Sequence, residues 1–437
     1  MTDSPRARIV LPLVLATVFI AAGLWGYRDW RAEKLGPPLG KIKGQDFNNV
    51  LHAAHNLEIG ANLYGYAEQF LRTPSFKEFT SWEETFYIYP PLFAALVRPL
   101  LRLPPPVALT LWGLGNYLVL LCAAAFAVRE FAPPGLPRVP AFACLAVVFT
   151  CYYPCQLELK IGQVDIVLLL LLLVTYRLYC ARSRVAGLPL ACALSIKPVL
   201  APLLVFFVWK REWRTAATAA GAAAVLVAGS FTLAGWHQLP SYLSAHHFWA
   251  TGPMLVFPVN QSVTAVARRV FTVNVYSEPV AVCPWLASLL PLIVAALAGA
   301  GWLAVVPRDD NRNHAVNGIE FGATLTTQML ISPITEDIHF VWVLVPLAAL
   351  LLAALGHTKL PRDWMRLAVV VGLLLYFGLP DTQATTYTDW TAAAFTGTLV
   401  PRAHVLYTGM FLYGLVILDV WLLLQCIRWR RLSQPGA

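Results

Sequence analysis

The stretch GQVDIVLLLLLLVTYRLYC, residues 162–180, joins a polar tetrapeptide to an apolar run that is long enough to cross a lipid bilayer. Apolar runs of roughly 17 to 25 residues recur along the rest of the chain. The 437-residue sequence is 58% hydrophobic and only 13% charged, whereas a soluble domain carries about 25% charged residues. The sequence therefore predicts one all-α, polytopic membrane domain over residues 1–437 rather than several soluble domains.

The basic residues lie between the apolar runs, which is typical of the cytoplasmic loops of a membrane protein. The net charge of +9 therefore does not indicate nucleic-acid binding, because no soluble domain is predicted to gather these residues on one face. The basic positions include Arg6, Arg8, Arg129, Arg138, Arg177, Arg182, Arg184, Lys210, Arg211, Arg214, Arg308, Arg312, Lys359, Arg362, Arg366, Arg428, Arg430 and Arg431.

With these loops inside the cell, the chain is predicted to cross the membrane about twelve times and to keep both termini in the cytoplasm. The first run resembles a signal peptide without a clean cleavage site, so we interpret it as an uncleaved signal anchor. The predicted spans are about 8–26, 107–128, 139–156, 164–180, 186–198, 199–210, 214–234, 284–306, 317–332, 339–356, 364–379 and 403–427. Long outer loops cover about 27–88 and 235–283. The proline-rich segment 89–106 predicts a short embedded or interfacial helix that need not cross.

This topology places several unusual polar segments on the outer side of the membrane. Outer loops are ordinarily solvated, but some of these groups sit at or inside the ends of spans, where ionisable side chains are costly and usually mark a functional site. The segments are the loop around Asp46, residues 158–165, Lys197, and residues 260–269, 332–339 and 380–389. The groups at span ends are Gln163, Asp165, Lys197, Glu336, Asp337 and His339.

Asp46 begins a segment in which apolar residues recur at helical spacing, which predicts an amphipathic helix in the first outer loop. As its first residue, Asp46 could accept hydrogen bonds from the backbone as a helix cap. It could equally act as a general base for an acceptor hydroxyl, and the two roles are compatible. The histidines of this helix, His52 and His55, are expected at its surface. The apolar positions are Phe47, Val50, Leu51, Ala54 and Leu57.

Lys197 follows an apolar run too deep for an ordinary solvated lysine. Snorkelling to the interface would explain it, but pairing with a lipid phosphate is the interpretation we favour. Arg268 and Arg269 lie on the outer side against the positive-inside pattern. They are either ordinary loop charges or a phosphate clamp, for which the arginine fork is well suited.

Two further segments carry candidate ligands. Gly162 could simply end one helix and Asp165 cap the next, which is as plausible as a ligand role for Gln163. Glu336, Asp337 and His339 place three ionisable groups within four residues, which favours a site. Glutamate and histidine could also bind a divalent ion, although no fixed ligand spacing supports one.

The order of these segments resembles glycosyltransferase family 87, whose members are mannosyltransferases of the GT-C fold. The segments that carry the resemblance are the Asp46 loop, AAHNLEIGANLY (53–64), YPPLFAALVRPL (89–100), GQVDIVLLLLLL (162–173), AGLPLACALSIKP (186–198), NQSV (260–263) with Arg268–Arg269, and SPITEDIH (332–339). The resemblance covers nearly the whole chain. In the last segment, Glu336 to His339 stand where family members typically have an aromatic residue and paired histidines.

The resemblance implies an inverting enzyme that uses a polyprenyl-phosphate sugar donor and a lipid or glycan acceptor. It implies that Asp46 is the general base and that His339 orients the acceptor or contacts phosphate. Lys197, Arg268, Arg269 and Gln163 become candidates for the donor phosphate. Asp165, Asn260, Glu336, Asp337 and Tyr89 become candidates for the acceptor or supporting side. No cofactor is implied, and a divalent metal is left open.

Two other classes of function stay open at this stage. A transporter or flippase of lipid-linked sugars would be expected to show inverted repeats with polar interruptions at the membrane midplane, and no clear repeat is found in the sequence. A glycan ligase or polymerase would differ from the first interpretation only in its substrate.

Overall fold

The computed structural model describes residues 9–21, 45–64, 87–308, 314–356, 361–378 and 399–432. The predicted segment 380–389, the residues of the first outer loop at 27–44 and 65–86, and Arg6 and Arg8 lie outside them. In chain order the α-helices of these segments are α1 (Ile9–Ala21), α2 (Gln45–Ile59), α3 (Pro91–Val97), α4 (Pro105–Phe131), α5 (Arg138–Cys151), α6 (Tyr153–Ile161), α7 (Asp165–Cys180), α8 (Gly187–Ile196), α9 (Leu203–Trp209), α10 (Trp213–Ala234), α11 (Leu239–Thr251), α12 (Val263–Phe271), α13 (Pro284–Val305), α14 (His314–Ile331), α15 (Leu344–Gly356), α16 (Pro361–Gly378) and α17 (Met410–Leu432).

Short 3₁₀ helices fill several of the remaining turns. Extended pairing within the described segments is limited to two isolated bridges, Asn260 with Glu336 and Ser277 with Val400. The predicted all-α class is therefore confirmed. The 3₁₀ helices are Arg98–Arg102, Pro198–Leu200, Trp236–Gln238, Pro253–Val256, Asp337–Val343 and Arg402–Gly409.

Several helices are long and apolar enough to cross a membrane, so the prediction of a polytopic membrane protein holds. Five such helices are present within the described segments: Pro105–Phe131, Trp213–Ala234, Pro284–Val305, Asp337–Gly356 and Arg402–Arg428. The pair α5 and α6 counts as a sixth crossing if it is one span, although it bends by 60°. The expected number of about twelve crossings is not confirmed, because the other apolar helices, such as Ile9–Ala21 and Gly187–Ile196, are too short.

Helices end where the sequence makes the backbone change direction. Tyr152 is extended and separates α5 from α6, and Pro154 lies in the first turn of α6, where proline is tolerated. Gly162 ends α6 in the left-handed conformation with φ of 78°. Lys197 is extended, with ψ of 93°, between α8 and a 3₁₀ turn that starts at Pro198. These breaks present polar residues beside buried apolar helices.

Two of the apolar spans have different surroundings. In the most apolar 18-residue stretch of the span Asp337–Gly356, 94% of the residues are buried within the protein, whereas the share in Pro284–Val305 is only 11%. The first is thus a central element and the second a peripheral one. Helix α2 is amphipathic as predicted, since Phe47, Val50 and Ala54 are at most 2% exposed and His52 and His55 are exposed. Residues 91–102 form the short helix expected between the prolines.

Candidate active site

The start of α2 meets the break between α6 and α7 through one glutamine. Gln163 Nε2 donates a hydrogen bond to Asp46 Oδ2 at 2.7 Å. The hydroxyl of Tyr89 donates to Gln163 Oε1 at 2.6 Å. Asp46 lies within the first turn of α2, which begins at Gln45, so it is not the cap residue itself. Three residues that are far apart in sequence therefore form one continuous chain of hydrogen bonds.

Lys197 lies in the same region, deep in the protein and paired with acids. Its Nζ donates to Asp165 Oδ2 at 2.5 Å, and both side chains are at most 6% exposed. Glu158 is 1% exposed and accepts a hydrogen bond from the backbone N–H of Asp165 at 3.0 Å. Lys197 Nζ also lies 5.8 Å from the centre of the Tyr89 ring, within the range of a cation–π contact. A buried ammonium is therefore held between carboxylates and an aromatic face.

His339 faces this region from the start of the central span, and its hydrogen bond defines its tautomer. The backbone N–H of Glu336 donates to His339 Nδ1 at 3.1 Å. Because an N–H can only donate, Nδ1 must carry a lone pair, and the ring proton lies on Nε2. Trp342 stacks on the imidazole with ring centres 4.6 Å apart and planes 13° from parallel. His339 is thus oriented as a hydrogen-bond donor through Nε2.

Burial raises the pKa values of the half-buried carboxylates in this cluster. Desolvation raises the pKa of Asp46 to about 6, against the opposing effects of the Gln163 hydrogen bond and the Lys197 charge. Desolvation raises the pKa of Glu336 to about 8; Lys197 opposes the shift, and the charges of Asp337, Asp46 and Asp165 add to it. Asp46 therefore exchanges its proton near neutral pH, as a general base requires.

Asn260 connects two loops beside the cluster. Its side-chain amide donates to the carbonyls of Leu255 at 3.0 Å and Pro333 at 3.1 Å, and its Oδ1 accepts from Thr335 N–H at 3.0 Å. A backbone hydrogen bond joins the same two loops, since the N–H of Asp337 donates to the Val259 carbonyl at 3.1 Å. Asn260 therefore positions the segment that carries Glu336 and His339.

The two arginines of α12 have different surroundings. Arg269 is fully buried, and its guanidinium donates to the backbone carbonyls of Phe257 at 2.9 Å, Asn260 at 2.9 Å and Thr408 at 3.1 Å. It holds the loop before α12 in place. Arg268 is half-buried, and its side chain makes no hydrogen bond or ion pair to any residue in the described ranges. Of the two, Arg268 is the one whose charge is not already used by the fold.

The predicted second outer loop contacts the predicted first outer loop beside this cluster. Gln238 Oε1 accepts from Leu63 N–H at 3.1 Å, and Gln238 Nε2 donates to the Ala61 carbonyl at 3.0 Å. The ring centres of Tyr64 and Tyr242 lie 5.5 Å apart. The segment after α2 is therefore bound to the region of α11, which carries Tyr242.

Sequence reasoning gave no role in the cluster to Glu158 or Trp112, and it treated Gly162 only as a possible helix end. Glu158 stands 7 residues before Asp165, on the other side of the helix break at Gly162, and this pair of acids was the available signal. Trp112 Nε1 donates to the Gly162 carbonyl at 2.9 Å, and no sequence pattern predicted that contact. A Cβ on Gly162 would lie 2.6 Å from the Cβ of Phe47, a closeness that only the folded chain reveals.

The cluster is rich in carboxylates, but a protein-only metal site is not evident. Within the described segments, no group of three or more His, Cys, Asp or Glu side chains is arranged to hold a metal ion. The positive partner that these carboxylates have in the structure is the Lys197 ammonium.

Comparison with known protein families identifies the family of this chain. The family model of glycosyltransferase family 87 matches residues 87–333, more than half of the 437 residues. The matched region contains Tyr89, Gln163, Asp165 and Lys197 of the cluster. No curated protein and no solved structure matches the chain significantly. The chain is a membrane glycosyltransferase that belongs to glycosyltransferase family 87.

Proposed function

We propose that this enzyme transfers a sugar, mannose in the first instance, from a polyprenyl-phosphate donor to a lipid-linked or glycan acceptor. The transfer inverts the configuration at the anomeric carbon and takes place on the extracytoplasmic side of the cell membrane, on a GT-C fold. The observation that carries the proposal is the cluster itself. It combines a half-buried carboxylate of pKa about 6, Asp46, with a buried ammonium, Lys197, that acts on the same carboxylate.

In the proposed reaction Asp46 is the general base. The acceptor oxygen forms a bond to the anomeric carbon while its proton passes to Asp46. The bond between the anomeric carbon and the phosphate oxygen breaks, and polyprenyl phosphate leaves with the electron pair. A single displacement of this kind inverts the configuration, and it needs the base and the leaving group on opposite faces of the sugar ring.

The leaving phosphate requires positive charge or hydrogen-bond donors. Lys197 keeps N–H groups beyond the one that binds Asp165. His339, with its donor Nε2–H, belongs to the same cluster, because the charge of Lys197 acts on both Glu336 and His339. Arg268 is the further cation available on this side. Arg269 already donates to the loop carbonyls, so in the proposal it supports the loop before α12, the helix that carries Arg268.

The test is an assay of the purified protein in detergent with polyprenyl-phosphate sugars, in which released polyprenyl phosphate and the glycosylated acceptor are measured. We expect turnover with the mannose donor and a rate that falls below about pH 6 as Asp46 becomes protonated. Asp46→Asn removes the base and should lower the rate by about 10²- to 10⁴-fold. Transfer at the wild-type rate by folded Asp46→Asn protein would refute the assignment of the base.

Glu58→Gln is a matched control, because Glu58 lies on the same helix and its side chain is 48% exposed in a surface pair with Arg98. This variant should transfer sugar at the wild-type rate. Absence of turnover with every polyprenyl-phosphate sugar, together with movement of a lipid-linked sugar across reconstituted vesicles, would replace the transferase proposal by a flippase.

A further inference from the structure

We propose that Gln163 and Tyr89 are positioning residues that hold one oxygen of the Asp46 carboxylate, Oδ2, so that the other oxygen, Oδ1, receives the proton of the acceptor. This inference rests on the proposed role of Asp46 as the base. In this proposal Gln163 binds the catalytic base, whereas the family resemblance had made it a candidate for contact with the donor phosphate.

The direction of each hydrogen bond follows from the chemistry of the groups. An ionised carboxylate only accepts, so the Gln163 amide must present Nε2 to Asp46, which it does at 2.7 Å. The amide oxygen then faces the Tyr89 hydroxyl at 2.6 Å, and this hydroxyl must donate. Burial raises the pKa of Tyr89 well above its ordinary range, so the hydroxyl keeps its proton. The Asp46 carboxylate therefore selects the orientation of the amide, because a flipped amide would place its oxygen against an acceptor. Tyr89 supports this orientation by donating to Oε1.

The backbone that carries Gln163 is bound directly to the start of α2. Gly162 has φ of 78°, and a Cβ there would lie 2.6 Å from the Cβ of Phe47. Trp112 stacks on Phe47 with ring centres 4.9 Å apart and donates through Nε1 to the Gly162 carbonyl at 2.9 Å. Asp46 precedes Phe47 and Gln163 follows Gly162, so this contact fixes both partners of the hydrogen bond relative to each other.

Tyr89 is fixed as well as Gln163. The hydroxyl of Tyr64 donates to the Tyr89 backbone carbonyl at 2.8 Å, and Phe93 packs edge-on against the Tyr89 ring with centres 5.3 Å apart. Tyr89 is 6% exposed. The chain from Tyr89 through Gln163 to Asp46 is therefore rigid at each end, as a positioning device requires.

The second oxygen of Asp46 has different surroundings. Within the described ranges no group makes a hydrogen bond to Oδ1, and the residue is half-buried rather than enclosed. Oδ1 is therefore the oxygen that an acceptor hydroxyl can approach. The charged and titratable groups that interact with Asp46 are Lys197, Asp165, Tyr89 and Glu336. The elements packed against α2 also carry Tyr153, Cys155, Glu158 and Lys160 on α6, and Arg98 and Arg102 on the 3₁₀ helix that follows α3.

The test compares Gln163→Leu and Tyr89→Phe with the wild type. The Gln163 hydrogen bond lowers the pKa of Asp46 against its burial, so its loss should raise that pKa and move the acid limb of the rate profile upward by about one pH unit. Tyr89→Phe should move the limb in the same direction by less. Because both act through one amide, the double variant should shift no further than Gln163→Leu.

A second measurement keeps this test separate from catalysis. Infrared difference spectra recorded at a series of pH values report the protonation of buried carboxyl groups. The band that disappears in Asp46→Asn belongs to Asp46. In Gln163→Leu this band should titrate at a higher pH than in the wild type. If Asp46→Asn protein still transfers sugar, the base proposal fails while this titration still decides the positioning proposal. An unshifted band in folded Gln163→Leu protein would overturn the positioning role.

Two matched controls show that the shift is specific. Gln156 is a half-buried glutamine of α6 whose amide donates to the Thr150 carbonyl at 3.3 Å, so Gln156→Leu removes a glutamine without touching Asp46. Tyr87 donates its buried hydroxyl to the Pro90 carbonyl at 2.7 Å, so Tyr87→Phe removes a hydroxyl close to Tyr89 in the chain. Both controls should leave the acid limb and the band in place, and an equal shift in either would overturn the proposal.

Discussion

At the residue scale, two half-buried carboxylates of one cluster respond differently to the same surroundings. Asp46 is stabilised as an anion by the Gln163 amide, and its pKa reaches only about 6. The Lys197 charge opposes the burial of Glu336, but its pKa nevertheless reaches about 8, helped by the negative charges of Asp337, Asp46 and Asp165. At neutral pH the first group is mostly ionised and the second mostly protonated, so they are suited to different roles.

Glu336 leads to a prediction about stability and pH. Its pKa rises from the ordinary value of 4.5 to about 8 in the folded protein, so between these values the folded state binds more protons than the unfolded state. Folding stability should therefore fall as pH rises through this window. Glu336→Gln stays neutral, so its thermal midpoint relative to the wild type should increase between pH 5 and pH 9.

The measurement is thermal unfolding of the purified protein in detergent at a series of pH values. Glu58→Gln serves as the control, because the surface pair of Glu58 with Arg98 has half-exposed side chains and should give a difference that does not change with pH. A difference between Glu336→Gln and the wild type that stayed constant over this range would contradict the assignment of a protonated Glu336.

At the element scale, the break between α6 and α7 brings the cluster together. Gly162 ends α6 in the left-handed conformation and touches α2, while Asp165 begins α7 and binds Lys197 at the end of α8. A continuous helix through this region would carry Gln163 and Asp165 on different faces, because neighbours two apart along a helix do not face the same way. The interruption allows both to reach the same cluster.

Gly162→Ala should therefore damage the site through the backbone. A non-glycine residue in the left-handed conformation costs roughly 1–2 kcal/mol, and the added Cβ would meet Phe47 at 2.6 Å, so α2 must move away. We expect a lower thermal midpoint. We also expect a lower transfer rate at temperatures where the variant is still folded, so that unfolding does not account for the loss of activity. The measurements are thermal unfolding and the transfer rate at a temperature where both proteins are folded.

Gly221→Ala is the matched control for this substitution. Gly221 lies within the helix α10, and a Cβ there would meet no atom within 4 Å. Alanine favours a helix over glycine by about 1 kcal/mol, so this variant should be at least as stable as the wild type and equally active. Full activity of Gly162→Ala would show that the close approach of α2 is not needed.

At the scale of the whole molecule, a second buried ion pair joins helices that are distant in sequence. Lys210 Nζ, after α9, lies 2.5 Å from Glu320 Oε2 of α14, and both side chains are at most 2% exposed. Such pairs are costly to break because one charge is left buried without its partner. This pair lies between elements other than those that form the Asp46 cluster, so its role is in holding the helix assembly together.

Lys210→Met should destabilise the protein by about 3–5 kcal/mol, since it leaves Glu320 buried without this partner. The double variant Lys210→Met/Glu320→Leu should recover part of that loss, because no buried charge of the pair then stays behind. Chemical unfolding in detergent measures both. Arg98→Gln breaks the exposed pair with Glu58 and should cost less than about 1 kcal/mol; an equally small effect of Lys210→Met would contradict the prediction.

Much of the fold could be predicted from local sequence patterns. The apolar runs of α4, α10 and α13 lie within about three residues of their predicted limits, and the amphipathic α2 buries the predicted face. The number of crossings was not predictable in the same way, because prolines and polar breaks divide the apolar sequence around Pro154 and Lys197 into helices too short to span. Tertiary packing rather than hydropathy decides the path of such pieces.

The sequence by itself determined the all-α membrane class, the family and the set of polar residues that stand at helix breaks, because hydropathy and backbone propensity act within a few residues of each other. Only the tertiary structure decided which of these residues meet. Lys197 pairs with Asp165, Gln163 binds Asp46 rather than standing apart from it, and Arg269 donates to loop carbonyls. A buried charge or amide must find its partner wherever the folded chain supplies one, and a partner 117 residues away, as Asp46 is from Gln163, leaves no local pattern in the sequence.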